Sequence, residues 1–295
     1  MATEFYIQKP DGFHLQTAVC GHGWYDLLPF EWNPDEETLK YVFRSRNGSK
    51  LAPGAISQLG NRIKVTLRNS SVDLLKAERD VRHILRLDDD MSHFYRMAQD
   101  VPGARWVTGV GGGRLLRSAT VYEDMVKTLC TTNCSWSLTR NMVTNLVKKL
   151  GKPAGRGIEA FPTADEMASV DEKFYREEVK AGYRSPFFVE LATRVSEGDI
   201  DPESFLTSDL PTDELRKEIK KIKGFGDYAA DNLLKLLGRF DYLALDSWLR
   251  SKFHQKHNMG KPCADKSIER HYADFGKWKG LMIWCDMTED WFETK

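Results

Sequence analysis

The chain of 295 residues has no excess of either charge: 43 basic and 43 acidic residues leave a formal net charge of +0. A nonspecific coat for nucleic acid is normally basic, so the balance counts against that class. It leaves room for a local basic face, because phosphate binding responds to nearby charge and oriented N–H groups. No stretch approaches the roughly 18–20 apolar residues that span a bilayer. Met1-Ala2-Thr3-Glu4-Phe5 lacks the basic region and apolar run of a secretory signal. Cysteine is sparse, and Cys20, Cys130, Cys134, Cys263 and Cys285 form no CxxC pairs, which argues against structural zinc or an iron–sulfur cluster. An odd count without a signal peptide reads as reduced thiols in a cytosolic or nuclear compartment. The histidines show no ligand spacing such as HExxH, so no catalytic metal is expected. His254 and His257 lie one turn apart with no evident carboxylate partner, which favours surface or packing roles.

What is present is ordinary for a soluble globular protein: 41% hydrophobic and 29% charged residues, enough chain for one large or two medium domains. No internal repeat or low-complexity segment occurs. The chain to about Asn69 is strand-rich, with alternating or β-branched runs at Leu39–Arg44 and Ile63–Arg68 around the turn-like Arg46-Asn47-Gly48-Ser49. From Ser71 the spacing becomes helical, with Asp73 in the first turn. Gly109-Val110-Gly111-Gly112-Gly113 matches neither GxGxxG nor GxxxxGK[ST], so it reads as a connector rather than a phosphate cradle. Helices are then expected at Val121–Thr131, Ser135–Leu150, Asp171–Lys180, Pro186–Glu197, Asp213–Lys221, Asp227–Leu237, Ser247–His257 and Ser267–Phe275. The fold class is mostly α, with a small mixed α/β N-terminal domain over 1–105 and a helical body over 106–295.

The informative stretch is Ile222-Lys223-Gly224-Phe225-Gly226-Asp227-Tyr228. One helix runs into a tight apolar-Gly-apolar-Gly hairpin, and a second starts at once. Two glycines one residue apart allow a sharp turn with no side chain above it. Amides there and in the first turn of the next helix have no helical partner, and the helix dipole adds positive character. That makes a site for a backbone phosphate, gripped by Lys223, Gly224, Phe225 and Gly226 and positioned without sequence readout. Lys220 and Lys221 add local charge. The alternative is a plain helical corner with glycines for packing. About twenty residues on, Asp246 ends an apolar run ahead of a helical pattern. It suits an N-cap. It also suits a fixed carboxylate that stabilises an oxocarbenium-like sugar and orients or deprotonates water. The two roles are compatible.

The hairpin followed by this aspartate resembles the helix-hairpin-helix DNA glycosylases, the family of the 3-methyladenine and 8-oxoguanine enzymes. Tyr122–Asn133 is similar to the helix that opens the family's catalytic core, and Lys180-Ala181-Gly182-Tyr183-Arg184 to its recurring Gly-Tyr-Arg segment. The resemblance covers roughly Val121 to Phe292. It is weaker over the first hundred residues, which correspond to the antiparallel-sheet domain of longer members. It implies a helix-hairpin-helix at about 213–238 and Asp246 as the catalytic carboxylate.

Bifunctional members carry a lysine two residues after the second hairpin glycine, where this chain has Tyr228. Without an amine there is no imine, so the implied reaction is monofunctional hydrolysis. An extruded base needs a pocket, and aromatic faces suit an alkylated, cationic one. Tyr228, Trp136 and Trp248 are the candidates, Trp24 a weaker one, against a core role for any of them. Asn133 resembles the asparagine that plugs the vacated stack; its alternative role is to cap the helix near Ser135. Family hairpins hold a monovalent cation on main-chain carbonyls, here those of 220, 222 and 225; no other cofactor is implied. The expected partner is double-stranded DNA with a damaged base, bound by a monomer, in the cytoplasm of a bacterium or the nucleus of a eukaryote. An oxidised-purine, uracil or mismatch glycosylase, a non-catalytic hairpin binder and a helical scaffold without DNA are the alternatives.

Overall fold

The structure is a computed structural model that describes residues 2–69 and 71–292; the outermost residues of the two expected parts, 1 and 293–295, lie outside it. Alternation builds the N-terminal sheet. Its strands are β1 (Thr3–Gln8), β2 (Glu31–Asn33), β3 (Thr38–Arg44), β4 (Leu51–Leu59) and β5 (Arg62–Leu67), ordered β1-β5-β4-β3-β2. In β5 Ile63, Val65 and Leu67 are fully buried, while Arg62, Lys64 and Thr66 face outward. All pairs are antiparallel, and the register sets Ile7 against Ile63 and Ile56 against Val65. The helix α1 (Leu15–Cys20) and a tight turn at Gly23–Asp26 join β1 to β2.

The helical body contains α2 (Leu74–Leu85), α3 (Ser92–Asp100), α4 (Arg105–Gly109), α5 (Val121–Thr131), α6 (Trp136–Leu150), the short α7 (Ala164–Ala168) and α8 (Glu172–Phe174), α9 (Ser185–Ser196), α10 (Thr212–Lys220), α11 (Asp227–Leu236), α12 (Ser247–His257), α13 (Asp265–His271) and α14 (Lys279–Thr288). Most match the sequence pattern to within two residues. Three differ. Asp73 is the N-cap of α2 and accepts the Leu75 amide, rather than lying inside the first turn. The segment 171–180 is one short turn followed by a wider one, ended by Lys180 at φ 66°. Over 267–275 the helix stops at His271, and 3-10 geometry follows. Helices α1, α3, α4, α7 and α14 are absent from the sequence expectation.

Two buried clusters hold the molecule together. The larger joins the inner sheet face to α2, α5, α6, α9 and α11. The smaller joins residues 91–115 to the C-terminal helices, with Phe94, Val107, Leu249 and Leu281 at its centre. Helix α3 therefore shares a core with residues beyond 240, although its sequence position groups it with the sheet. Each fully buried Leu or Ile contributes about 1.5–3 kcal/mol. The glycine loop at 109–113 turns inward: a Cβ on Gly111 would lie 2.0 Å from the Gly12 carbonyl oxygen. From Gly111 to Gly113 it is a packed connector, and its backbone there is closed to a phosphate.

Polar groups on α5 bind the sheet to the helical body. The Tyr41 hydroxyl donates to Glu123 at 2.8 Å, and Lys127 pairs with Glu123 at 2.7 Å. The Trp24 indole N–H and the Ser118 amide donate to Asp124 Oδ1 at 2.7 and 2.8 Å. Buried charge is tolerated there because each group has a partner. The consequence for function is positional. These bonds fix the 22–26 turn against the helical body.

Candidate active site

The hairpin between α10 and α11 is anchored by Ile222 and Phe225, 5% and 2% exposed. Gly224 has φ 90°, and a Cβ there would meet Phe187 at 2.7 Å and Leu129 at 2.8 Å, so packing as well as backbone geometry demands glycine. Gly226 is the N-cap of α11, and nothing lies within 4 Å of its would-be Cβ. The amides of Gly226, Asp227, Tyr228 and Ala229 have no acceptor among the described residues. This corrects the expected grip in one respect. The Phe225 side chain is buried, and its N–H donates to the Ile222 carbonyl at 3.0 Å. Phe225 and Gly224 hold the turn, and Gly226 with the first-turn amides forms its outer surface. The lysines are engaged too: Lys223 with Glu190 at 3.2 Å, Lys220 with Asp227 at 2.6 Å and Lys221 with Glu218 at 2.7 Å. Such exposed pairs contribute little and exchange readily for another anion.

Asp246 lies at the opposite end of the path that leads out of α11. The buried Ala244 takes φ 51°, a left-handed kink that ends the apolar run, and Asp246 then caps α12. Its Oδ1 accepts the Leu249 amide at 2.7 Å. Its Oδ2 has no partner among the described residues. The carboxylate is half-buried, on the wall of a cleft of about 1410 Å³. The same cleft is lined by Tyr228, Trp136, Trp248 and Asn133, so the expected pocket and plug residues converge on one space.

Each has a physical tether. Trp136 donates its indole N–H to Asp26 at 2.8 Å and is 40% exposed. Trp248, 37% exposed, packs 6.0 Å from both Trp284 and Trp291. Burial raises the Tyr228 hydroxyl pKa, a shift opposed by a hydrogen bond with Thr131. Asn133 sits at the rim with φ 46° and donates to the Tyr183 hydroxyl at 3.3 Å. It does not cap α6; Ser135 does, which leaves the Asn133 side chain free of that duty. The Gly-Tyr-Arg segment supports this rim: buried Arg184 donates to the Thr132 hydroxyl at 3.1 Å.

The sequence reading missed part of the wall. His22, Trp284 and Trp291 line the cleft, and Trp24, a weak candidate from sequence, is fully packed into it. The His22 ring packs, tilted, with centroids 4.4 Å from Trp24 and 5.5 Å from Trp284. Its pKa falls to about 3, chiefly through burial and then through the charge of Lys235, so the ring is neutral. A histidine between two glycines in Gly21-His22-Gly23 was a signal available in the sequence. Trp284 and Trp291 were not recoverable, because they depend on the unforeseen α14 and the turn after it.

His257 does have a carboxylate partner, contrary to the sequence expectation: its Nε2 lies 2.6 Å from Asp286. Together with His271 these form a grouping of metal-ligand type among the described residues. Asp286 already holds Lys256 at 2.8 Å and Tyr272, so its oxygens are occupied. All five cysteines are free thiols. No helix among the described residues is long and apolar enough to cross a membrane.

No protein-family model matches the chain, and no curated protein matches it in sequence. Solved structures do match in shape. The 3-methyladenine DNA glycosylase of Archaeoglobus fulgidus superposes with TM-score 0.77 at 15% identity, over 98% of this chain and 100% of that one. The 8-oxoguanine glycosylase/lyase of Clostridium acetobutylicum gives 0.73 at 18% identity, over 97% and 98%. The 3-methyladenine DNA glycosylase of Schizosaccharomyces pombe, bound to abasic DNA, gives 0.53 at 18%, over 74% and 100%. The chain has the fold of the helix-hairpin-helix DNA glycosylases.

Proposed function

We propose that the protein is a monofunctional DNA glycosylase: it hydrolyses the N-glycosidic bond of a damaged base in duplex DNA and leaves an abasic site. The observation that carries this reading is Asp246, with one oxygen bound to the Leu249 amide and the other free in an aromatic cleft beside α11. The bound oxygen fixes the carboxylate. The free one stabilises positive charge growing on the sugar and takes the proton of the attacking water. The C1′–N bond breaks as water's oxygen bonds to C1′, and the electron pair leaves with the base.

The side chains lining the cleft support the reading without coupled strand cleavage. Tyr228 offers no amine, and Lys252, which lines the cleft, is paired with Asp290 at 2.6 Å. The amides at Gly226 and the first turn of α11 take a backbone phosphate, Lys223 adds charge, and Asn133 fills the stack that the extruded base vacates. The carbonyls of Lys220 and Phe225 accept no backbone bond among the described residues, which leaves both open to a monovalent cation. Tyr228, Trp136 and Trp248 suit any flat base and attract an alkylated, cationic purine most strongly.

Asp246→Asn keeps an oxygen for the Leu249 amide, so the fold and the cap persist. Excision from lesion-bearing duplexes should fall by about 10³-fold or more, with abasic-duplex binding within about threefold of wild type. Full activity in this variant would remove the assignment. Strand cleavage without added alkali would show lyase chemistry and overturn the monofunctional reading.

A further inference from the structure

Lys235 is a buried charge that the mechanism above does not use. Helix α11 presents Tyr228 and Asn232 to the cleft, and position 235 continues that face one turn deeper. Its side chain is 1% exposed, and its ammonium has no hydrogen-bond acceptor among the described residues. It lies 4.4 Å over the ring of Trp284, whose indole lines the cleft. A lysine left unpaired in such surroundings is costly, and a methionine would fill the same volume without that penalty.

The groups facing it come from four elements. Asp231 is on its own helix, Asp246 heads α12, Cys285 is on α14, and the neutral His22 precedes the 23–26 turn. Burial lowers the Lys235 pKa to about 8, with Asp246 the largest influence in the opposite direction. Near neutral pH the amine is mostly protonated, so a positive charge underlies the base-binding wall.

Charge at that place discriminates between two kinds of leaving group. A purine that is neutral in DNA departs with the glycosidic electron pair and becomes an anion. A purine alkylated on a ring nitrogen is already cationic and departs neutral. A fixed ammonium stabilises the first transition state, where negative charge develops on the base. It opposes the second substrate by like-charge repulsion, and it already occupies one face of an indole that would otherwise attract a cation.

We propose that Lys235 makes this cleft selective for a neutral damaged purine, of the oxidised or deaminated kind, over an alkylated cationic one. The inference rests on the glycosylase reading above and names its substrate class; it displaces the alkylated purine favoured by the aromatic side chains alone.

The test is single-turnover release of 8-oxoguanine and hypoxanthine, both neutral, and of 7-methylguanine, cationic, from otherwise identical duplexes. Wild type and Lys235→Met are compared at pH 7 and pH 9. The readout is the ratio of neutral to cationic release within each protein, which does not depend on the folded fraction. Wild type should favour a neutral lesion at pH 7, and its ratio, divided by that of Lys235→Met to cancel titration of the bases, should fall about tenfold by pH 9 as the ammonium is lost. In Lys235→Met the ratio should be lower by at least about tenfold at pH 7, and its change with pH reports titration of the bases alone. Lys235→Arg, which keeps the charge, should restore the preference. A ratio unchanged by the substitution and by pH, or a wild-type preference for 7-methylguanine, overturns the role of Lys235 while leaving the hydrolase intact. Release of no base from any duplex sinks the glycosylase reading itself, and this inference with it.

Discussion

The two ends of α11 are finished in opposite ways. At the C-terminal end every late carbonyl is satisfied. Leu233 and Leu234 accept the amides of Leu237 and Arg239 at 2.9 and 2.8 Å, and Lys235 accepts that of Gly238 at 3.1 Å. The Leu236 carbonyl takes Arg86 Nη1 at 2.9 Å and Arg117 Nη1 at 3.2 Å. At the N-terminal end the amides are left bare over an open glycine. A helix end that is merely structural is satisfied by the chain or by water. One left open at the surface, with positive dipole character, offers a place for an anion in exchange for water. The contrast separates residues that hold the fold from residues that meet a partner, and it can be broken from either side.

The largest effect on stability should come from the saturated end. Arg86 is 1% exposed and pairs with Asp89 at 2.6 Å as well as capping Leu236. Arg86→Met takes the shorter of its two donors from that carbonyl, leaving Arg117, and removes the close partner of Asp89. Stability should drop by about 3–5 kcal/mol, read from urea unfolding. Abasic-duplex affinity of the folded fraction should be unchanged. A loss of affinity at full stability would show that the two ends are not independent.

The hairpin divides along the same line within three residues. Gly224→Ala forces a Cβ against Phe187 and Leu129 at a positive φ, at a cost of about 2–3 kcal/mol. Gly226→Asp meets no neighbour but sets a carboxylate where a phosphate would lie. Its urea midpoint should stay near wild type, while affinity for any duplex falls about 10–100-fold. If Gly226→Asp destabilises the protein and spares binding, the outer surface of the turn is structural after all.

Much of this was legible in the sequence, for physical reasons that also mark where legibility ends. Strong periodicity and capping located α5, α6, α10, α11 and α12, because their signals are local. The bare amides follow from helix geometry plus two glycines. The direction of Phe225 was not legible: an apolar residue between glycines can face a ligand or the core, and only its neighbours decide. The wide turn at 175–179 had no local signature in the sequence. The wall around Asp246 needed long-range information. His22 reaches it because Trp24 bonds Asp124, a hundred residues away. Lys235 was plain in the sequence as a lysine among leucines, yet its meaning depends on Trp284, and no local rule links the two.

The smallest predicted effect sharpens the comparison at the open end. Asp227 occupies the first position of α11, beside the bare amides, where its negative charge competes with an incoming phosphate. Lys220 at 2.6 Å and Arg216 at 2.8 Å meet that charge, and the Lys220 hydrogen bond chiefly holds the carboxyl below its ordinary range. Removing the carboxylate therefore does two things in the same direction: it lifts a local repulsion and frees Lys220 for DNA. Asp227→Asn should tighten binding to an abasic duplex by about two- to fivefold and steepen the salt dependence by about 0.9 in log–log slope, one added phosphate contact. Excision rates at saturating enzyme should not change, because Asp227 is absent from the cleft wall. Weaker binding would mean that Asp227 orders the turn through its two cations, and that the open end of α11 depends on its own ion pairs to keep its shape.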